Sequence, residues 1–284
     1  MELEFTKMEG LGNDFVIIDD RETAIEAIVS YPDLAVKLCD RHFGVGADGI
    51  ILILPSQDHD FTFRIFNSDG SSAQMCGNGM RCVARYVYEK QIVSQKTMQV
   101  DTLAGTVVPE VLVDENGAVI SVRVDMGEPV LACEKIPFQS ETETAVDLPL
   151  TVGDAIFQIT AVSMGNPHAV TFVDDVDAMD IKTIGPIIET HDRFLEKTNV
   201  EFIEVVSPAE LKMKVWERGA GITLACGTGA CASLVAAHLT GRADTRAVIH
   251  LDGGDLQIFW DKETNHLFKE GPANYAFEGT VTLP

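Results

Sequence analysis

Runs of basic residues are missing from this chain of 284 residues: 21 lysines and arginines stand against 44 aspartates and glutamates, a formal charge of −23. That excess argues against a nucleic-acid partner and otherwise serves solubility. Long apolar runs are missing too. The longest, Gly49 to Pro55, is strand-sized and far short of the ~20 residues of a membrane span. The opening residues, Met1 to Phe5, are acidic and carry no basic segment ahead of an apolar one. The expected location is therefore the cytoplasm, with no membrane partner. Thiols stay reduced there, so the six cysteines are not read as a disulfide framework. The spacings from Cys76 to Cys82 and from Cys226 to Cys231 do not match the short pairs of structural zinc, and no metal is expected. Cys226 to Ser233 lacks the lysine of a phosphate-binding loop, and Gly77-Asn78-Gly79 lacks the third glycine of a dinucleotide fingerprint. Short internal repeats are absent as well.

What the chain has is an ordinary globular composition, 46% apolar and 23% charged, and a length that suggests about two domains. It also has a long echo. Cys76-Gly77-Asn78-Gly79 precedes a helical pattern over Met80–Glu89, and Cys226-Gly227-Thr228-Gly229 precedes another over Ala230–Leu239, 150 positions on. At the same offset Phe63–Asn67 falls on Met213–Glu217 and Gly49 falls on Asn199. Gly12-Asn13-Asp14-Phe15 falls on Gly165-Asn166-Pro167-His168 at an offset of 153. Four segments in one order imply two similar halves about a pseudo-two-fold axis.

Alternating apolar patterns predict strands such as Leu3–Met8, Phe15–Asp19, Ile50–Leu54, Phe61–Phe66 and Val107–Val113 in the first half. The second half offers Ile156–Val162, Ala169–Val173, Val200–Val206 and Leu211–Glu217. Further helices are predicted over Pro32–Arg41 and over Asp180–Glu189, the latter interrupted near Pro186. Many strands around few helices predict an α+β fold of two domains, each a curved, mostly antiparallel sheet wrapped on a central helix, with a site in the cleft between them. The expected domains are residues 1–124 plus 275–284, and residues 125–274.

Cys39, Cys82, Cys133 and Cys231 read as small buried apolar residues. Cys76 and Cys226 differ, because each precedes a Gly-rich turn that opens a helix. Unpaired N–H groups and the positive end of the helix dipole gather there, which lowers a thiol's pKa and favours a carboxylate ligand. Two such thiols suit inversion of a carbon: one removes a proton from one face while the other supplies a proton to the opposite face. Helix N–H groups can stabilise the charge that develops on the adjacent carboxylate. Asn13, Asn67, Asn166 and Asn199 sit at strand ends or turns, where turn chemistry and site lining are both open. Arg218 suits a second carboxylate and Glu217 an ammonium, with a surface ion pair as the rival explanation. His168 reads either as a structural histidine or as a group that helps proton movement.

These segments resemble the diaminopimelate epimerase family. The resemblance lies in Met8–Phe15, in Asn67–Gly70 with Met75–Cys82, in Gly165–Ala169, in Thr198–Phe202, and in Glu217–Gly221 with Cys226–Cys231. It implies cofactor-independent interconversion of LL- and meso-diaminopimelate, on the way to lysine and peptidoglycan precursors, by a homodimeric protein. By position it makes Cys76 and Cys226 the acid/base pair. Gly77, Asn78, Gly227 and Thr228 would be backbone donors to the reacting carboxylate, and Asn13, Asn67, Asn166, Asn199, Glu217 and Arg218 substrate-binding residues. Proline racemase-like proteins share the Cys-Gly-x-Gly loops, so a related racemase is the alternative. Departures from the pattern are Gly49 where some members carry Gln, Ile222 where Glu is common, and Thr228 for a frequent Ser.

Overall fold

A computed structural model describes residues 1–283. In chain order the elements are β1 (Glu2–Gly10), β2 (Asn13–Asp19), α1 (Tyr31–Cys39), β3 (Gly49–Leu54), β4 (Phe61–Asn67), β5 (Ser72–Ala73), α2 (Gly77–Glu89), β6 (Val100–Thr102), β7 (Gly105–Val107), β8 (Pro109–Val113) and β9 (Val119–Asp125). They continue with β10 (Leu148–Val152), β11 (Ala155–Ser163), β12 (Pro167–Phe172), α3 (Ile181–Glu189), β13 (Asn199–Ser207), β14 (Glu210–Glu217) and β15 (Gly221–Ile222). The last are α4 (Gly227–Leu239), β16 (Arg246–Leu251), β17 (Gly254–Trp260), β18 (Leu267–Gly271) and β19 (Asn274–Thr282). The chain forms two compact units, Met1–Val124 with the tail from Gly271, and Asp125–Glu270.

In the first unit β1 pairs antiparallel with β2, β2 parallel with β3, and β3 antiparallel with β4. β4 then pairs antiparallel with β5 and parallel with β6, and β6 antiparallel with β7. The series β11 to β17 repeats every one of these pairings in the same sense. Helices α1 and α3 occupy corresponding crossovers, as do α2 and α4. The echo in sequence is therefore a repeat in structure. Phe15 opens the β2–β3 ladder opposite Gly49, and His168 opens the β12–β13 ladder opposite Asn199. These are the segments that aligned in sequence.

Parallel strands with helices on both faces read as unbroken apolar runs. Val16, Ile18, Ile50 and Leu52 pack toward α1 with Leu34, Ala35 and Leu38. In the second unit Ala169, Val200 and Phe202 share a core with Ile181 and Ile188 of α3. Residues 229–237 of α4 are all buried, so this helix is the centre of its unit and has no polar face.

Three local differences from the sequence pattern have physical causes. The helices after the two cysteines begin at Gly77 and Gly227, so the glycines form the first helical turn and not a turn ahead of it. Helix α3 runs unbroken through Pro186. In a helix this short proline forfeits one backbone bond, and the Pro186 carbonyl still accepts from Thr190. The strand expected over Val107–Val113 is split into β7 and β8 ahead of Pro109, which has no N–H to donate.

A charged cluster ties the start of β2 to the segment leading into β3. Asp14 pairs with Lys7 at 2.6 Å and with Arg41 at 2.8 Å, and Arg41 also reaches Asp48 at 2.8 Å. Lys7 is buried and donates in addition to the Gly46 carbonyl. Partial burial works against the Asp14 charge, but the hydrogen bonds from Arg41 and Lys7 win and bring its pKa from 3.8 down to about 2. A carboxyl lowered on folding adds stability above its unfolded pKa and loses it as pH falls through the folded value. Asp14→Asn should therefore lower stability at neutral pH by roughly 1–2 kcal/mol after solvent screening. In urea melts the gap between variant and parent should close as pH falls from about 4 toward 2. A constant gap across that range would show that the Asp14 charge contributes nothing.

Candidate active site

Each cysteine that drew attention in the sequence is the N-cap of a buried helix. Cys76 holds extended backbone (φ −135°, ψ 114°), and its carbonyl accepts from Met80 N at 2.8 Å. Its sulfur accepts from Gly79 N at 3.5 Å. Cys226 matches it (φ −122°, ψ 105°), with its carbonyl accepting from Ala230 N at 2.9 Å. Helix geometry gives the amides of Gly77 and Asn78, and of Gly227 and Thr228, no partner within their helices. They are a ready cradle for a carboxylate.

The glycines let the cap sit directly on the sheet. A Cβ at Gly79 would lie 2.7 Å from Ile51 Cδ1, and one at Gly229 would lie 2.6 Å from Glu201 Oε1. Neither position admits a larger residue unless its neighbour moves. Ile51 and Glu201 are counterparts on β3 and β13.

Around Cys76 the side chains are chiefly amides. Its Sγ donates to Asn13 Oδ1 at 3.7 Å, and Asn78 Nδ2 donates to the same oxygen at 3.4 Å. Asn13 Nδ2 donates to Asp48 at 2.7 Å. Asn78 is held from below by the fully buried Arg81, whose Nη1 donates to Asn78 Oδ1 at 3.0 Å and whose Nε donates to Pro272 O at 3.0 Å. Asn67, at the end of β4, is exposed and donates to Ser71 Oγ at 2.9 Å. A Cβ at Gly49 would lie 2.6 Å from the Phe66 carbonyl oxygen, so backbone alone occupies that point.

Around Cys226 the surroundings are acidic. Its Sγ lies 3.6 Å from Thr228 Oγ1, and Asn166 Nδ2 donates to that hydroxyl at 3.3 Å. Asn166 Oδ1 is 3.0 Å from His168 Nε2, and His168 Nδ1 is 2.7 Å from Glu201 Oε1. His168 and Glu201 are both fully buried. Asn199, also buried, donates to Pro167 O at 2.9 Å and accepts from Arg218 N at 2.9 Å. Glu217 accepts from the Thr223 hydroxyl. Arg218 is exposed and donates to Glu196 O at 3.0 Å. Among the described residues no ion pair joins Glu217 to Arg218; their partners are Thr223 and Glu196.

A position at a helix start predicts a lowered thiol pKa, and Cys226 departs from that expectation. Burial pushes its thiol well up, and the carboxylates of Glu217 and Glu201 push the same way, against the weaker opposing effects of Thr228 and Gly229 N–H. Desolvation and two nearby anions outweigh the helix terminus. The four cysteines read as core residues are buried. Burial raises Cys82 and Cys231 to about 12 and Cys39 to about 11.

The structure thus gathers Asn13, Cys76, Gly77 and Asn78 in one unit. In the other it gathers Asn166, His168, Asn199, Glu217, Arg218, Cys226, Gly227 and Thr228. Asn67 lies at the β4 position matching Glu217. Sequence reasoning gave no role to Glu201, Arg81 or Lys269. Lys269 is buried, and its Nζ lies against the place a Gly227 side chain would take. The available signal was a charged residue within an apolar pattern: Glu201 between Val200 and Phe202, and Arg81 between Met80 and Cys82.

Comparison with known proteins identifies the family. The family model described as diaminopimelate epimerase matches residues 5–132 and 160–276. A diaminopimelate epimerase of Desulforapulum autotrophicum is 56% identical over 283 residues, covering 100% of both chains. One from Synechocystis is 52% identical over 100% of both chains. One from Heliobacterium modesticaldum is 50% identical, covering 99% of this chain and 100% of that one. Among solved structures, a Bacillus anthracis phenazine biosynthesis protein of the PhzF family superposes with a TM-score of 0.73 at 17% identity, covering 99% of each chain. A probable proline racemase from Agrobacterium radiobacter superposes with a TM-score of 0.68 at 15% identity, covering 99% of this chain and 93% of that one. Those two share the α+β fold. With full-length relatives at half identity or more, and both cysteine-capped helices within the matched segments, the chain belongs to the diaminopimelate epimerase family.

Proposed function

We propose that this protein interconverts LL- and meso-2,6-diaminopimelate by a two-base mechanism with Cys76 and Cys226 as the catalytic residues. The observation that carries the reading is the repeated cap: each half ends a strand pair in a cysteine placed at the free end of a buried helix. One thiolate takes the α-proton while the other residue, as thiol, delivers a proton to the opposite face. In one direction Cys226 enters as the acid and Cys76 as the base. The roles exchange for the return. Amides of Gly77, Asn78, Gly227 and Thr228 stabilise the charge that gathers on the adjacent carboxylate, and this step needs no cofactor.

Glu217 and Arg218 serve the distal amino-acid end, with Asn13, Asn67, Asn166 and Asn199 orienting the rest. The guanidinium of Arg218 is exposed and holds a single backbone carbonyl, so it is free to turn onto a carboxylate bidentately. In the same reading the protein works in the cytoplasm as a homodimer, in the supply of lysine and peptidoglycan precursors, without a nucleic-acid or membrane partner. Among the described residues no helix is long and apolar enough to cross a membrane.

Cys76→Ala and Cys226→Ala should each lower epimerisation by roughly 10²- to 10⁴-fold or more. Near-normal turnover by either variant would exclude the two-thiol scheme. In heavy water, parent enzyme should place deuterium at the α-carbon of diaminopimelate and leave proline and hydroxyproline unlabelled. Labelled proline would favour the related racemase. If both thiols attend one carbon, oxidation should inactivate the enzyme with a Cys76–Cys226 link visible by mass spectrometry. Arg218→Met should raise KM for diaminopimelate by roughly tenfold or more, the worth of a charge-assisted pair. An unchanged KM would remove Arg218 from the site.

A further inference from the structure

The two halves differ sharply at one buried place. Beneath the first cysteine cap, the Cβ position of Gly79 meets Ile51 and Phe15. Beneath the second, the Cβ position of Gly229 meets Glu201, and Glu201 is bonded to His168. The ladder register makes His168 the counterpart of Phe15 and Glu201 the counterpart of Ile51. The same fold is thus completed by an apolar pair in one unit and by an ionisable pair in the other. Burying an ionisable pair costs more than burying an apolar one. Folding alone gives no reason for it.

The hydrogen bonds run in one direction. Asn166 Nδ2 donates to Thr228 Oγ1, so Asn166 Oδ1 faces His168 Nε2, which must therefore carry a hydrogen. His168 Nδ1 and Glu201 Oε1 then share a single proton across 2.7 Å, which leaves the pair neutral as a whole. At the far end Thr228 already accepts from Asn166, so its own hydrogen is available to Cys226 Sγ at 3.6 Å. The second oxygen of Glu201 is buried without a hydrogen-bond partner. The carboxyl is therefore tied to this chain of bonds and to nothing else in the core.

We propose that Glu201 is a positioning residue which, through His168, Asn166 and Thr228, aims a hydroxyl hydrogen at Cys226 and so supports that sulfur when it becomes a thiolate. The proposal rests on the two-thiol reading and explains how a sulfur so deeply buried can give up its proton. The direction of the Cys226 shift shows why help is needed: burial, its largest cause, opposes the thiolate, and the nearby Glu217 carboxylate adds to it. The ionisable groups about Cys226 are Glu201, Glu217 and His168 from the strands, with Lys269 beside Gly227.

The repeat supplies the control. The double variant His168→Phe with Glu201→Ile installs the pair that the first unit already uses. Alkylation by iodoacetamide, mapped by mass spectrometry from neutral to alkaline pH, reads the thiolate at each cysteine without reference to turnover. Cys226 should react roughly tenfold more slowly or less, the worth of a hydrogen bond to a charged group, with Cys76 unchanged. Mere loosening of the core would speed alkylation, so slower reaction is not a structural side effect. An unchanged or faster Cys226 would overturn the proposal, the faster one by showing that the pair acts through its charge. Thr228→Val should give the same slowing and keeps the test alive if the double variant does not fold. Combining all three substitutions should slow Cys226 no further, whereas additive losses would show that Thr228 and Glu201 act separately. Failure of the parent enzyme to epimerise diaminopimelate would sink the function and leave this measurement intact.

Discussion

The structure depends on a close approach: the first turn of a buried helix lies directly on the sheet, with a cysteine as its cap. Glycine at 79 and at 229 is what the approach requires, since a side chain at either would strike Ile51 or Glu201. Contact at that depth does two things together. It seals the helix into the core, and it leaves the sulfur at the one helix end where backbone donors are unspent. The site is a by-product of how the helix is seated. The fold therefore carries two of them without any added element.

Much of this was legible because the halves kept their chemistry while diverging in detail. Phe63–Asn67 and Met213–Glu217 share an alternating pattern and a polar end, and they are corresponding strands β4 and β14. Their shared offset needs no knowledge of the fold to be seen. The apolar runs of β2 and β3 were equally plain, because a strand covered on both faces has no polar positions to confuse the period. The sequence pattern sets the helix starts late, since a glycine inside the first turn reads locally as a loop. β10 carries Pro149 within its alternation, β18 has no equally clean alternation, and β5 and β15 are two residues each. Such segments are strands because a neighbour pairs with them.

In the site, the residues that caught attention were those at strand ends and in loops, where a polar side chain is conspicuous only by repetition. Glu201 lies in one of the segments shared with the family, but a single acid in a strand usually points to water, so its sequence context alone does not mark it. What could not be read was its burial, which comes from the α4 turn lying over it. The expected lowering of the Cys226 pKa failed for the same reason. Position at a helix start is local and visible in sequence, whereas desolvation and the carboxylates of Glu217 and Glu201 are supplied by the tertiary structure. Near Cys76 the corresponding strand residues are apolar and the loop is dressed with amides. Two sulfurs in matched frames thus have unmatched surroundings.

The pairing of β1 with β19, which sets Glu2 opposite Thr282, bears on biosynthesis. The unit from Asp125 to Glu270 is continuous in sequence and leaves the ribosome whole. The other unit is split in sequence: β1 keeps one edge unclaimed until β19 has been made. The interval during which that bare edge is exposed grows with every residue synthesised in between.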